Sequence, residues 1–458
     1  PSVTGAVVFP AWVSPACGTT VMMSPARPPI CSCCVSLSGS AGAPPPERGP
    51  TQLTLFGAAF AFPLLYGVLR QCGISLKSSC IGAAFYVVLF LGPLRRVMHQ
   101  SVSFPLTLLA LLLFLRFWQK PSTGRAIAAG IPMGILPHIY YWGWTFVFAV
   151  AAVLCVLAAL RKSLRPRLLP IALLCIATAL VALPYFLYAG SLLAQPLAQE
   201  AAERSSVIAS RGIESGPRSI LALTLAACAL WILFRRRKDD AILPVLAFAL
   251  TPAIVLHQQL LHGTVISFAT HYYPLICVAS LLCALYFWEK KVRSLTGWLA
   301  MGICCTFLLA AGFDYSGRLM VHQSDRVYAM QHMGTVYDRL NAEPKEVVLT
   351  DLITSLAIAS NTRADVVFTE HTRHLLISTK EYAERYCLSS LFNPSLDETW
   401  VADILREPSN VGRAREAEMY EERVVIARDA CRRVRANPRS FLEQFGVTVL
   451  LWNEKEQP

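Results

Sequence analysis

Chemistry-bearing side chains gather in one stretch, "HQQLLHGTVISFATHYY", which runs from His257 to Tyr273 between two apolar runs. It holds three histidines, two glutamines and two adjacent tyrosines. Polar groups beside hydrocarbon are costly unless they face water, a partner or a ligand. His257, Gln258, His262 and His271 are therefore candidate substrate-binding residues for an outward-facing polar cavity. A second candidate is "LRRVMHQ" (94–100), where Arg95, Arg96 and His99 follow an apolar run. Paired guanidinium groups there can hold a phosphate by bidentate hydrogen bonds, or can meet lipid headgroups or an ion-pair partner. A third is "PHIYYWGW" (137–144), with His138 and Tyr141. It reads either as an interfacial aromatic belt or as a surface for stacking a sugar or an isoprenoid.

Other constellations are weaker. Glu200 and Glu203 in the 189–217 linker are spaced for acid–base work, but one-turn spacing on a surface helix more often means solvation. "TEHTRHLLISTKEYAERY" sets Glu370, His371, Arg373 and His374 ahead of Glu381, Glu384 and Arg385. It lacks the spacing and third ligand of a zinc site and reads as an ion-pair network. Of the fifteen cysteines, most lie in apolar runs, where a thiol acts as a small hydrophobe, and "CSCC" (31–34) lacks the second pair of a structural metal site. No metal and no cofactor is assigned.

The elements that must position these residues are transmembrane. The 458 residues are 55% hydrophobic and 15% charged, against about 25% charged in soluble proteins, and mean hydropathy is +0.48. The expectation is an α-helical polytopic membrane protein with about ten transmembrane helices and a small extracytoplasmic α/β domain at the carboxy terminus. The expected spans are 52–69, 78–94, 102–118, 124–140, 142–160, 168–188, 218–234, 241–258, 267–288 and 295–313. Two crossings at 124–160 are expected because Arg125 and Arg161 are both basic; a re-entrant hairpin is the alternative. The net charge of +12 does not indicate nucleic acid, because the basic residues cluster between apolar runs. One alternating set of linkers carries 16 Lys and Arg and the other 5, which makes the first set cytoplasmic. All three polar stretches, residues 1–50 and the carboxy-terminal portion then lie on the outer face, and the protein belongs to the plasma (inner) membrane.

Residues 1–50 are an irregular or disordered segment rich in Pro, Ser, Gly and Cys. The chain begins at Pro1 without a signal-like segment, and further sequence is expected upstream. Residues 51–313 form the helical membrane domain and 314–458 the soluble α/β domain. In the latter, "SDRVYAMQHMGTVYDRLNA" has helical spacing, "EVVLTD", "SLAIAS" and "ADVVFTE" read strand, helix, strand, and "FLEQFGVTVLLW" ends a helix and adds a strand. It has no Gly-rich phosphate loop, which argues against nucleotide binding.

This layout, with the texture of "AGIPMGILPHIYYWGW" and "HQQLLHGTVISFATHYY", resembles the GT-C superfamily of membrane glycosyltransferases over most of 51–458. The resemblance implies a polyprenyl-phosphate sugar donor, membrane lipid as a partner and an active site on the outer face. Arg95, Arg96, His257 and His262 would serve the phosphate. It also implies an acidic residue in the first outer loop, where residues 1–50 offer only Glu47. A transporter reading is disfavoured by the absence of repeats and of mid-span ionisable groups; a structural membrane protein with a partner-binding outer domain is the third reading.

Overall fold

An apolar run beside lipid must satisfy its own backbone, which leaves the helix as the element available to these segments. The computed structural model describes residues 48–89, 100–205, 207–209, 217–235, 240–266, 269–290, 295–296, 298–306, 308–310, 333–342, 346–369, 372, 375–392 and 413–451. Helices α1 (Arg48–Gln71), α2 (Leu76–Leu89), α3 (Gln100–Gln119), α4 (Thr123–Ile139), α5 (Tyr141–Leu160) and α6 (Leu168–Leu193) come first. After them come α7 (Ala198–Arg204), β1 (Val207–Ala209), α8 (Pro217–Arg235), α9 (Leu243–Leu256), α10 (Gln259–His262), β2 (Thr264–Ile266) and α11 (Tyr273–Glu289).

Three stretches are helical, long and apolar enough to cross a membrane: Val102–Gln119, Tyr141–Leu160 and Leu168–Leu193. Shorter apolar helices cover Leu76–Leu89, Ser219–Phe234, Leu243–Leu256, Tyr273–Glu289 and Trp298–Ala310. The chain is thus a helical membrane protein. Helix α6 leaves Leu169, Ile176, Leu180, Leu183 and Leu187 exposed, the apolar outer face that lipid would cover.

Contacts sort the helix termini into two ends. At one end Gln119 donates to Gln71 O, Arg167 to Trp118 O, Arg161 pairs with Asp240, and Ser75 N donates to Glu289. At the other end Tyr86 donates to Pro274 O, Tyr140 meets His271, and β1 pairs antiparallel with β2 in the register Val207↔Ile266. The linkers grouped together by their basic charge therefore meet in space.

Two glycines set the closest helix pair. A Cβ on Gly130 would lie 2.7 Å from Ala177 Cβ, and one on Gly134 would lie 2.6 Å from both Thr178 O and Val181 Cβ. Only a bare Cα allows α4 to approach the α6 backbone this closely. The pairing advances in the same direction on both helices, so α4 and α6 run parallel, and α5, which joins them in sequence, runs the opposite way. Tyr140 makes the reversal as a single extended residue, φ −158° and ψ 116°, capping both α4 and α5. The interior is filled by large rings and aliphatics such as Tyr86, Phe114, Phe146, Leu246 and Phe248.

The carboxy-terminal part contains α12 (Gly334–Ala342), β3 (Val347–Leu349), α13 (Leu352–Asn361), β4 (Asp365–Val366), α14 (Thr379–Ser389), α15 (Arg413–Ala436), α16 (Pro438–Gln444) and β5 (Val449–Leu450). The sheet order is β4-β3-β5, parallel throughout, with Val348 opposite both Val366 and Val449. This matches the expected strand–helix–strand order. Of the helix expected over 324–342, the part before Met333 lies outside the described residues. Tyr382, Tyr386, Phe368 and Leu349 fill one core and Tyr337, Val348 and Ile358 the other. A Cys387–Cys431 disulfide ties α14 to α15.

Candidate functional site

The α4–α5 reversal puts four aromatic residues at one end of the bundle, and the connector between α9 and α11 closes over them. Trp142 stacks on His271, with centroids 4.2 Å apart and planes 17° apart. The Tyr140 hydroxyl and His271 Nδ1 are 2.5 Å apart. A hydrogen-bonded chain runs beside this stack. Tyr141 donates to Gln258 Oε1 at 3.2 Å, Gln258 Nε2 donates to the Tyr272 hydroxyl at 2.9 Å, and that hydroxyl lies 2.7 Å from Thr145 Oγ1. Each link of this chain joins side chains from different elements.

The histidine tautomers follow from their partners. His257 is 6% exposed, and its Nδ1 lies 2.9 Å from Ala253 O. A carbonyl can only accept, so Nδ1 carries the proton and Nε2 offers a lone pair. That Nε2 is buried and has no hydrogen-bond partner among the described residues. His262 Nδ1 accepts from Thr264 N at 3.3 Å, which puts its proton on Nε2. Burial lowers the His262 pKa and favours the neutral ring. Gly263 follows in the left-handed region, φ 76°, and turns the chain into β2. His138 is exposed and donates from Nε2 to Val181 O at 3.0 Å, edge-on to Tyr185.

Of the sequence candidates, Tyr141, Gln258 and His271 thus belong to one layer. His257 and His262 lie in the same connector with separate partners, and His138 sits on the α4–α6 seam. Arg95, Arg96 and His99 lie outside the described residues, as do "CSCC" and Glu370, His371, Arg373 and His374. Tyr140, Trp142, Thr145 and Tyr272 complete the layer and were not singled out from sequence. The only sequence signal for the three rings was their density in "PHIYYWGW" and "THYY", and Thr145 had none. Between Ser103, Phe104, Thr107, Tyr140, His271, Pro274 and Leu275 the remaining void is about 10 Å³, enough for one water.

Among the described residues, Glu200 and Glu203 near this end are already engaged. Glu200 Oε2 accepts from Thr379 N at 2.6 Å and lies 3.9 Å from Arg204, and Glu203 accepts from Gln199. Arg204 is fully buried and donates to Thr379 Oγ1, Leu375 O and Ile377 O, joining the bundle to the start of α14. Desolvation lowers its pKa, opposed by Glu200. In the carboxy-terminal part Glu381 pairs with Arg385 at 2.9 Å and buried Glu384 with Arg433 at 3.0 Å. Among the described residues no group of three His, Cys, Asp or Glu is placed to hold a metal ion. Comparison with known protein families, characterised proteins and solved structures finds no match to this chain.

Proposed function

We propose that the chain is a polyprenyl-phosphate-sugar-dependent glycosyltransferase of GT-C type, acting on the outer face of the plasma membrane. The observation that carries this reading is the polar aromatic layer at the end of the bundle away from the basic linkers, with the unfilled His257 Nε2 lone pair in the connector that closes it. Rings such as Trp142 and Tyr140 suit the apolar face of a sugar, and a buried acceptor calls for a donor such as a sugar hydroxyl. Arg95 and Arg96 would hold the donor phosphate. With only about 10 Å³ free beside Tyr140 and His271, donor binding requires the layer to open.

The outward placement has separate support. The linkers meeting at the opposite end carry the excess of Lys and Arg, as cytoplasmic linkers do. The Cys387–Cys431 disulfide suits an oxidising compartment for the carboxy-terminal domain. Ten crossings follow if α1, α4 and the five shorter apolar helices also span. The 3-10 turns Asp240–Ile242 and Ala269–Tyr272 lengthen α9 and α11 toward membrane thickness.

A specific observation favours a second reading, a non-catalytic relative that binds the same class of lipid. Residues 48–199 contain no Asp or Glu, so none of α1 to α6 supplies a carboxylate base. The experiment is incubation of the full chain in lipid nanodiscs with a radiolabelled polyprenyl-phosphate sugar. Release of free polyprenyl phosphate, with binding weakened by Arg95→Ala/Arg96→Ala, supports transfer. Binding without release supports the second reading, and no binding removes both.

A further inference from the structure

Helix α4 places Arg125 and Tyr140 about 22 Å apart, at opposite ends of the bundle. At the Arg125 end lies a half-open cleft of about 480 Å³ between α3, α4 and the end of α1. Its wall holds Arg116, Lys120 and Arg125, with Gln71 and Gln119 beside them and Leu113 and Ala128 on the inward side. The volume is that of a small-molecule site.

Several cations of this end are already engaged. Arg161 pairs with Asp240, and Arg167 donates to Trp118 O and lies 5.1 Å over the Trp118 ring. Among the described residues no carboxylate pairs with Arg116, Lys120 or Arg125. Asp240 is held by Arg161, and Glu289 accepts from Ser75 N. Helices α1 to α6 add no acid, since 48–199 has none, and Asp239 lies outside the described residues. Three like charges on one wall repel, and an anion between them relieves that repulsion.

We propose that this cleft binds the phosphate of an anionic membrane lipid. The cations sit where the apolar helices end, at headgroup depth, and Leu113 and Ala128 give the glycerol and first acyl carbons an apolar wall. Arg125 spends one donor on Lys120 O and keeps the rest of its guanidinium for the phosphate, while Arg116 presents a fork suited to bidentate contact.

The test uses the full chain in phosphate-free detergent, titrated calorimetrically with dihexanoyl phosphatidylglycerol, dihexanoyl phosphatidylcholine and inorganic pyrophosphate. Phosphatidylglycerol is expected to bind best. Arg116→Gln/Lys120→Gln should weaken it about tenfold or more, since two charge-assisted contacts are lost. Arg116→Lys should retain most of it. Leu113→Trp, which crowds the apolar wall beside the cations and leaves the charges, should also weaken binding, and serves if the double variant does not fold. Equal binding by wild type and double variant would mean that the charges serve only topology, and overturns the proposal. Binding of pyrophosphate without phosphatidylglycerol overturns the lipid source in favour of a soluble phosphate compound. Neither ligand touches the aromatic layer, so this result and that of the sugar-donor experiment stand apart.

Discussion

Trp142 and His271 lie ring over ring across 129 positions of sequence, 4.2 Å between centroids, with the Tyr140 hydroxyl against His271 Nδ1. The stack fixes the angle of the imidazole, and the hydroxyl fixes its rotation. Replacing His271 by Phe keeps a ring for Trp142 and removes the polar partner of Tyr140. The expected cost is about 1 kcal/mol in thermal unfolding of the detergent-solubilised chain. His271→Ala removes the stack as well and should cost about 1 kcal/mol more. Equal effects of the two variants would show that the stack contributes nothing.

Gly134 sets how closely α4 approaches α6. Its missing Cβ would meet a backbone oxygen, Thr178 O, and a branched carbon, Val181 Cβ, both at 2.6 Å. Neither is the end of a flexible side chain, so the helices themselves must part. Gly134→Ala is expected to destabilise the bundle by about 1–3 kcal/mol. Gly124→Ala, on the same helix with open space around its Cα, should be neutral or slightly stabilising. A shared thermal-shift series of the two variants checks both directions.

The Gly134 contact also marks the limit of what sequence could tell. Apolar runs and alternating basic linkers announce helices and their grouping into two ends because a bilayer punishes every other arrangement. Short β-branched runs between helices announce β3, β4 and β5 for a similar reason, since parallel strands need crossovers. Periodicity does not say which face of α4 meets which face of α6. Nor does it say that Trp142 finds His271 rather than Tyr273. His271, Gln258 and the Tyr272–Tyr273 pair were legible as polar residues out of place, whereas Tyr140, Tyr141 and Trp142 read as interfacial rings or a stacking surface. Cys387 and Cys431 resembled the other scattered cysteines, and only the packing of α14 on α15 pairs them.

Arg204 should be the most sensitive residue of the junction. Its guanidinium is buried and satisfies Leu375 O, Ile377 O and Thr379 Oγ1 together. Arg204→Ala would leave these acceptors dry and Glu200 without its cation, at a cost of about 3 kcal/mol. The readout is limited proteolysis, which should cut between the bundle and α14 in the variant and spare the wild type. Arg204→Lys keeps the charge but reaches fewer of the three acceptors, and should be intermediate. Protection equal to wild type in Arg204→Ala would mean that other contacts hold the junction.

His262 gives the connector a pH dependence whose sign is fixed by its surroundings. Burial lowers its pKa from the ordinary 6.5, and its Nδ1 must stay unprotonated to accept from Thr264 N. The stability this contributes is complete above about pH 6.5 and is lost as pH falls toward and through the depressed folded value. Protonation removes the acceptor that fixes the turn at Gly263 and the entry to β2, so β1–β2 pairing should loosen with it. His262→Gln keeps an acceptor and does not titrate. Thermal unfolding between pH 5 and 8 should therefore show the wild type losing stability on acidification more steeply than the variant. Parallel curves would place the acid sensitivity on other groups.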